Sequence, residues 1–350
     1  MKKRRKTRQI HVGNIPVGGG SPVSVQSMTK TDTRDVASTV KQVRSLAGAG
    51  CEIIRIAVPD MEAAGALGPI RRSSPIPVIA DIHFDWRLAL EALGQGIDGL
   101  RINPGNIGAK WKVAEVVAAC HDRKVPIRIG VNAGSLSKKI LQRYKHPTPE
   151  ALVESAAEHI GILEQLGFRE IKVSLKASNV PTTAEAYRLF TKSFRYPVHI
   201  GISEAGPSFT GIIKSSVGLG IILSEGIGDT MRVSLSADPH EEVRVAYEIL
   251  KSLGLRTRGA NIISCPTCGR CQIDIRSLAA EVEARLKDVE KTVTVAVMGC
   301  VVNGPGEARE ADVGIAGGKG TGLLFRKGKI IKTVEEGDLL DALMEEIEKR

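Results

Sequence analysis

The sequence predicts an α/β TIM barrel followed by a small α+β domain that carries a metal on its loops. Between Val23 and Ser236 about eight short β-branched runs each lead into a stretch of helical pattern. Eight βα units in roughly 210 residues is the count and length of such a barrel. No G-x-G-x-x-G follows the first run, so a doubly wound dinucleotide-binding sheet loses support. Beyond a basic stretch, Arg256-Thr-Arg258-Gly-Ala, the pattern changes and four of the six cysteines appear. Residues 1–255 and 256–350 are therefore expected to be separate domains.

The eight barrel strands are predicted at Val23 to Met28, Glu52 to Val58, Pro77 to Ile82, Gly99 to Pro104, Ile127 to Ala133, Glu170 to Ala177, Val198 to Ala205 and Thr230 to Leu235. Helices follow, for example over Asp35 to Ala49, Trp86 to Leu93 and Pro149 to Leu166, with a last one over Glu241 to Leu253. The second domain reads as strand Asn261 to Ser264, a cysteine loop, helix Ile275 to Lys287 and strand Thr292 to Met298. Strands near Val313 to Ala316, Gly322 to Phe325 and Ile330 to Thr333 come next, then helix Leu339 to Glu346. Helices with antiparallel strands are the expectation there. Gly317 to Gly322 lacks G-K-[ST] spacing and lies between two strands, which makes it a hairpin turn rather than a phosphate loop.

Composition narrows the function classes. A hydrophobic content of 42% is ample for a core in 350 residues. Aromatics at 3% argue against a stacking platform for single-stranded nucleic acid. A formal net charge of +10 suggests an anionic partner, part of it coming from a basic head, Met1 to Arg8, that is expected to be solvated. No apolar run approaches the roughly 20 residues of a membrane span and no signal h-region follows the head, so a cytoplasmic protein without membrane or nucleic-acid partners is expected. Cys51 and Cys120 sit in apolar settings and read as unpaired core residues.

In a TIM barrel, function gathers at the C-terminal ends of the strands. There the predicted strands carry Arg55, Asp81 with His83, Arg101 with Asn103, Arg128 with Asn132, Lys172, Ser174 and Lys176, Glu204, and Arg232 with Ser234. Each cation could simply pair with a carboxylate such as Asp81 or Glu204. Five cations (Arg55, Arg101, Arg128, Lys176 and Arg232) against two or three acids instead favour a shared anionic ligand, because unpaired buried charge is costly. A guanidinium fork suits phosphate oxygens, so a phosphate or diphosphate ester is the natural candidate. Lys176 as a Schiff-base lysine is a rival.

Cys265-Pro-Thr-Cys268-Gly-Arg-Cys271, together with Cys300 and Glu307 in Gly-Cys-Val-Val-Asn-Gly-Pro-Gly-Glu, is the second constellation. Sulfurs at x-x spacing on tight turns converge on a soft metal. A zinc ribbon would show a second matched C-x-x-C pair; here Cys300 stands alone. Three thiolates plus an oxygen ligand suit a 4Fe-4S cluster with one exchangeable corner, and Cys271 competes with Cys300 as the third thiolate.

The whole chain resembles the 4-hydroxy-3-methylbut-2-enyl diphosphate synthase family. The matching stretches are Ser27-Met-Thr, Ala80-Asp-Ile-His83-Phe, Arg101-Ile-Asn-Pro-Gly-Asn106, Lys172-Val-Ser-Leu-Lys176-Ala-Ser, Cys265-Pro-Thr-Cys268-Gly-Arg and Gly299-Cys-Val-Val-Asn-Gly-Pro-Gly-Glu307. The resemblance implies a barrel that binds 2-C-methyl-D-erythritol 2,4-cyclodiphosphate and a sulfite-reductase-like iron-sulfur domain whose 4Fe-4S cluster delivers two electrons. It implies Cys265, Cys268, Cys300 and Glu307 as cluster ligands, and a diphosphate held by Arg55, Arg101, Arg128, Asn132, Lys176 and Ser234. Glu204 would lie near the reacting carbons as proton donor. In that family the cluster domain of one chain covers the barrel mouth of its neighbour, so a homodimer is expected. With no flavin or nicotinamide motif evident, a ferredoxin or flavodoxin is the expected electron donor. The competing readings are an aldolase or pterin-type transferase barrel with a structural zinc site, and a non-catalytic iron-sulfur electron carrier.

Overall fold

A computed structural model of the chain describes residues 1–287, 289, 291–300, 306 and 308–349. The chain forms two compact units, Met1–Arg256 and Thr257–Arg350.

The first unit opens with a short antiparallel hairpin, β1 (Ile10–Val12) and β2 (Ile15–Val17). Eight parallel strands follow: β3 (Ser24–Met28), β4 (Ile53–Ala57), β5 (Val78–Asp81), β6 (Gly99–Ile102), β7 (Ile127–Asn132), β8 (Ile171–Lys176), β9 (His199–Ile200) and β10 (Thr230–Met231). They pair in the order β8-β7-β6-β5-β4-β3-β10-β9. A parallel bridge between Val173 and Val198 joins the two ends, so a TIM barrel results.

Local chemistry sets the helix starts. Asp35, Asp60, Asp85, Thr148, Asn179 and Asp238 each close a βα loop and accept a backbone N–H from the first helical turn, the standard use of short oxygen-bearing side chains at N-caps. Period-2 alternation then divides each strand. Ile54 and Ile56, Leu100 and Ile102, and Val173 and Leu175 face the helical shell, while Arg55, Arg101, Lys172 and Lys176 take the alternate, inward positions. Three inward glycines make room for these long side chains or their neighbours. A Cβ at Gly130 would stand 2.6 Å from Arg101 Nε, one at Gly201 2.6 Å from Lys176 Nζ, and one at Gly99 2.9 Å from Ile79.

Three differences from the expected elements have physical causes. The hairpin was not foreseen, because its three-residue strands are too short to show a period; Ile10, Val12 and Val17 pack on Ile53 and Ile79 and floor the barrel. The basic head is not free in solvent. Arg4 donates to Gly228 O at 3.0 Å and Arg5 to Tyr196 O at 2.8 Å, satisfying carbonyls that the barrel leaves open. The seventh and eighth strands are only two residues long; beyond Ile200, the end of the seventh, the chain enters a loop with positive φ at Glu204 and Gly206.

The second unit is a five-stranded sheet, β11 (Ala260–Ser264), β12 (Val293–Met298), β13 (Val313–Gly317), β14 (Thr321–Arg326) and β15 (Lys329–Glu335), in sequence order. The expectation of antiparallel strands holds for β13 to β15 only; β11, β12 and β13 run parallel. Helices Ile275–Leu286 and Leu339–Glu348 bury Val282, Leu286, Leu339 and Leu343 against Val295, Val313 and Ile315. The glycine-rich segment is a hairpin turn, closed by Gly318 N to Thr321 O at 2.7 Å.

Candidate functional site

At the C-terminal end of the barrel, Asp81 is the hub. Its carboxylate accepts from Arg101 Nη1 at 3.1 Å and lies 3.4 Å from Arg55 Nε. Arg101 also donates to Gly130 O at 3.2 Å, and its Nη1 lies 3.0 Å from the His83 ring. Asn103 locks the same spot by exchanging two bonds with Gly130, 2.9 Å and 2.8 Å. Arg128 donates to Ser174 Oγ at 2.9 Å, and among the described residues its Nε and Nη2 have no hydrogen-bond partner. A second carboxylate, Glu242 on helix Pro239–Ser252, gathers Arg232 at 3.4 Å, Lys30 at 3.1 Å and the Leu235 N–H at 3.1 Å.

Among the described residues the buried cations Arg55, Arg101, Arg128, Lys172, Lys176 and Arg232 stand against Asp81 and Glu242 at the mouth and Asp229 at the start of β10, the last already engaged by Arg4. The imbalance has electrostatic consequences. Burial, opposed by Asp81 and reinforced by Arg232 and Arg101, pulls Arg55 down to about 10. Burial and then repulsion from Arg55 and Arg101 hold Arg128 well below its ordinary value, and burial with Arg128 and Arg55 does the same to Lys176. Asp81 is shifted the other way: burial would raise it, but Arg55, Arg101 and Arg128 together bring it below the usual carboxylate range. Arginine stays protonated in proteins, so the downward pull reflects first the burial of its charge and then repulsion from its neighbours, both of which an anionic ligand offsets. The site is electrostatically complementary to something more negative than its own two carboxylates.

The remaining candidates from the sequence lie around this ring. Asn132 ends β7, Ser234 follows β10, and both are half-buried. Glu204 is exposed in the loop after β9, with φ at +51°. Left-handed backbone at a non-glycine residue is uncommon and concentrates at functional sites. Sequence reading did not find Glu242, which sits on a helix among ordinary surface-type residues; its signal would have been an acid one helical turn inside an apolar face. Nor did it find His199, fully buried against Thr230 and kept neutral by burial and by Lys176 and Arg128.

In the second unit, parallel pairing of β11 with β12 brings the cysteine segments to one edge. Cys265 follows β11, and Gly299 and Cys300 follow β12. The Gly299 N–H donates to Cys265 Sγ at 3.2 Å, Cys265 N donates to Val297 O at 3.3 Å, and Gln272 N donates to Gly299 O at 3.0 Å. A Cβ on Gly299 would stand 2.4 Å from Cys271 Sγ and 3.4 Å from Cys265 Sγ, so only glycine fits between these sulfurs. Cys268 is exposed, and hydrogen bonds from Arg270 lower its thiol pKa. Among the described residues no three His, Cys, Asp or Glu side chains are gathered closely enough to hold a metal; Glu307 and residues 301–305 lie outside the described residues. The donors present do fit a soft metal in kind: partly exposed cysteines on two loops of one sheet edge, with a backbone N–H already given to sulfur. Cys51 and Cys120 are the opposite case. Both are buried, and burial pushes each thiol up to about 12, which leaves them inert.

A TIM barrel with a cation-rich mouth, followed by a separate domain with cysteines at one end of its sheet, defines a class of two-domain enzyme rather than a simple carrier or a single-barrel aldolase. The chain belongs to the GcpE family: the GcpE TIM-barrel domain matches residues 7–247 and the GcpE protein C-terminal domain matches residues 261–349. It is 66% identical to the 4-hydroxy-3-methylbut-2-en-1-yl diphosphate synthase (flavodoxin) of Geobacter sulfurreducens, covering 99% of this chain and 98% of that one. To the enzyme of the same name from Thermodesulfovibrio yellowstonii it is 61% identical over the whole of both chains. Among solved structures, the dihydropteroate synthase of Yersinia pestis matches 70% of this chain and 98% of its own at a TM-score of 0.50 and 11% identity, a likeness of barrel fold alone.

Proposed function

We propose that this protein catalyses the reductive ring opening and dehydroxylation of 2-C-methyl-D-erythritol 2,4-cyclodiphosphate to 4-hydroxy-3-methylbut-2-enyl diphosphate, taking two electrons from flavodoxin. The observation that carries the reading is the unbalanced ring of cations in the barrel, since a doubly phosphorylated ring supplies the missing negative charge. Arg55, Arg101, Arg128 and Lys176 bind its phosphate oxygens, with Asn132 and Ser234 as neutral donors at the rim. Asp81 and Asn103 orient Arg101, so the guanidinium is fixed before the ligand arrives and little ordering entropy remains to be lost on binding. Glu204, held in a strained loop, delivers a proton to the reacting carbons. Cys265, Cys268, Cys300 and Glu307 would hold a 4Fe-4S cluster, and once bound it supplies low-potential electrons and a Lewis-acidic iron for the departing oxygen. The working form is proposed to be a homodimer.

Anaerobic preparation, iron and sulfide analysis, and turnover of the cyclodiphosphate with a chemical reductant test this reading together. Iron with acid-labile sulfide and formation of the open-chain diphosphate are expected. Glu307→Ala should keep iron while turnover falls steeply. Zinc in place of iron, or iron-loaded protein inert toward the cyclodiphosphate, overturns the reading.

A further inference from the structure

Cys271 is the cysteine of the second unit that the proposed function leaves unused. Its loop is stitched to the strand ends, with Cys271 N donating to Cys268 O at 2.9 Å and Gln272 N to Gly299 O at 3.0 Å. Cys265 is tied to the same place from the other side, its Sγ accepting the Gly299 N–H at 3.2 Å. The two half-buried side chains therefore converge. Of the atoms around a Cβ built on Gly299, the three nearest are Cys271 Sγ at 2.4 Å, Cys265 Sγ at 3.4 Å and Cys271 Cβ at 3.5 Å. Gly299 lacks the positive φ that by itself calls for glycine, so its missing side chain provides room in which two sulfurs meet. No atom of Cys268, which is exposed, comes as near to that point.

Both thiols are free, and Cys271 makes one weak donation, to Ile273 O at 3.2 Å. Both residues lie outside the strands. Rotation of two such side chains about their χ1 bonds can bring sulfurs that share one point to the roughly 2.05 Å of a disulfide.

We propose that Cys265 and Cys271 are a reversible redox pair, oxidised to a disulfide by peroxide when the chain holds no metal. Peroxide takes two electrons from one thiol, giving a sulfenic acid and water; the second thiol then displaces the hydroxyl as another water and the S–S bond forms. A dithiol reverses the step by exchange and is itself oxidised to its disulfide. The consequence rests on the proposed function, in which Cys265 is a cluster ligand. The disulfide withdraws Cys265 from metal and halts it short of the sulfinic and sulfonic acids, from which no dithiol recovers it. Cys271 is thus the resolving thiol and not a ligand.

The full-length protein, stripped of metal under anaerobic reducing conditions, would be treated with equimolar hydrogen peroxide, alkylated and digested with trypsin. Cleavage after Arg258, Arg270 and Arg276 leaves Cys265 and Cys268 on residues 259–270 and Cys271 on residues 271–276. Those two peptides should appear cross-linked, with fragment ions assigning the bond to Cys265. Cys268→Ser should keep the link; in Cys271→Ser it should vanish and Cys265 should reach the sulfinic acid severalfold more. Oxidised wild type should take up iron and sulfide only after reduction by dithiothreitol, whereas Cys271→Ser kept reduced throughout should load as the wild type does. The inference fails if Cys268 forms the bond, if the cysteines are over-oxidised without linking, or if reduced Cys271→Ser takes up no iron, which would make Cys271 a ligand. A disulfide between Cys265 and Cys271 in a chain that never accepts iron would uphold the pair and overturn the cluster instead. Should Cys271→Ser not fold, the peptide map of the wild-type protein decides the matter alone.

Discussion

The two units keep their functional side chains under opposite conditions. In the barrel they are buried, fixed by hydrogen bonds and crowded by like charge: Arg101 is held at once by Asp81 and Gly130 O, and Asn103 clamps the strand beside it. At the edge of β11 and β12 the cysteines are half-buried or exposed, with Gly299 N–H given to Cys265 and Arg270 hydrogen-bonding Cys268. The barrel completes the geometry of its cation ring in folding. Under the proposed function the cysteine loops would need a metal to complete theirs, since metal binding and local ordering are coupled where no preformed cage exists.

The sharpest break of this contrast is Cys300→Ser. If the loops depend on metal, this variant should lose most of its iron and nearly all turnover while still binding the cyclodiphosphate, which calorimetry would read. Loss of substrate binding along with iron would show that the two units do not divide the work as described.

Arg101→Ala should cut the other way. Removing one charge-assisted contact to a phosphate costs about 1.5–3 kcal/mol, so KM for the cyclodiphosphate should rise roughly 10- to 100-fold with iron content unchanged. Asp81 still has Arg55 at 3.4 Å, and one repulsive neighbour disappears, so the unliganded protein should melt within a few degrees of wild type. A large drop in melting temperature would mean that Arg101 is structural first.

Gly130→Ala sharpens the point without removing a charge. Its methyl group would meet Arg101 Nε at 2.6 Å, and overpacking of this kind costs about 1–3 kcal/mol. A smaller rise in KM than for Arg101→Ala is expected, with substrate titration as the measurement.

The mildest effect concerns His159, whose Nδ1 accepts from Gly105 N at 3.1 Å and so supports the loop that follows β6. Burial lowers its pKa to about 4. Above the ordinary histidine value of about 6.5 both folded and unfolded states are neutral. As pH falls from there toward 4, only the unfolded chain takes up the proton, so stability declines across that window and levels off below it. Allowing for partial exposure, the loss is on the order of 2 kcal/mol. His159→Gln should flatten the acid limb of a stability-against-pH curve, and an unchanged limb would assign it to other groups.

Much of the barrel was legible because period 2 and period 3.6 are local signals, and because polar residues such as Arg55, Arg101 and Arg128 stand out in apolar strands. The hairpin Ile10–Val17 was not legible, since three-residue strands carry no period of their own. The basic head misled for a related reason: Arg4 and Arg5 have partners at Gly228 and Tyr196, more than 190 residues away, and no neighbour in sequence announces them. Glu242 was hidden in the same way, its identity as a hub depending on Lys30 and Arg232 arriving from other elements.

By itself the sequence determined the eightfold alternation, the placement of cations on alternate strand positions and the spacing of the cysteines, all of which follow from short-range covalent geometry. Tertiary structure alone decided which cations share one carboxylate, which are left without a partner, and that Cys265 and Gly299 meet because β11 and β12 run parallel. Those outcomes depend on through-space distances between residues far apart in the chain, and charge and hydrogen bonding act through space.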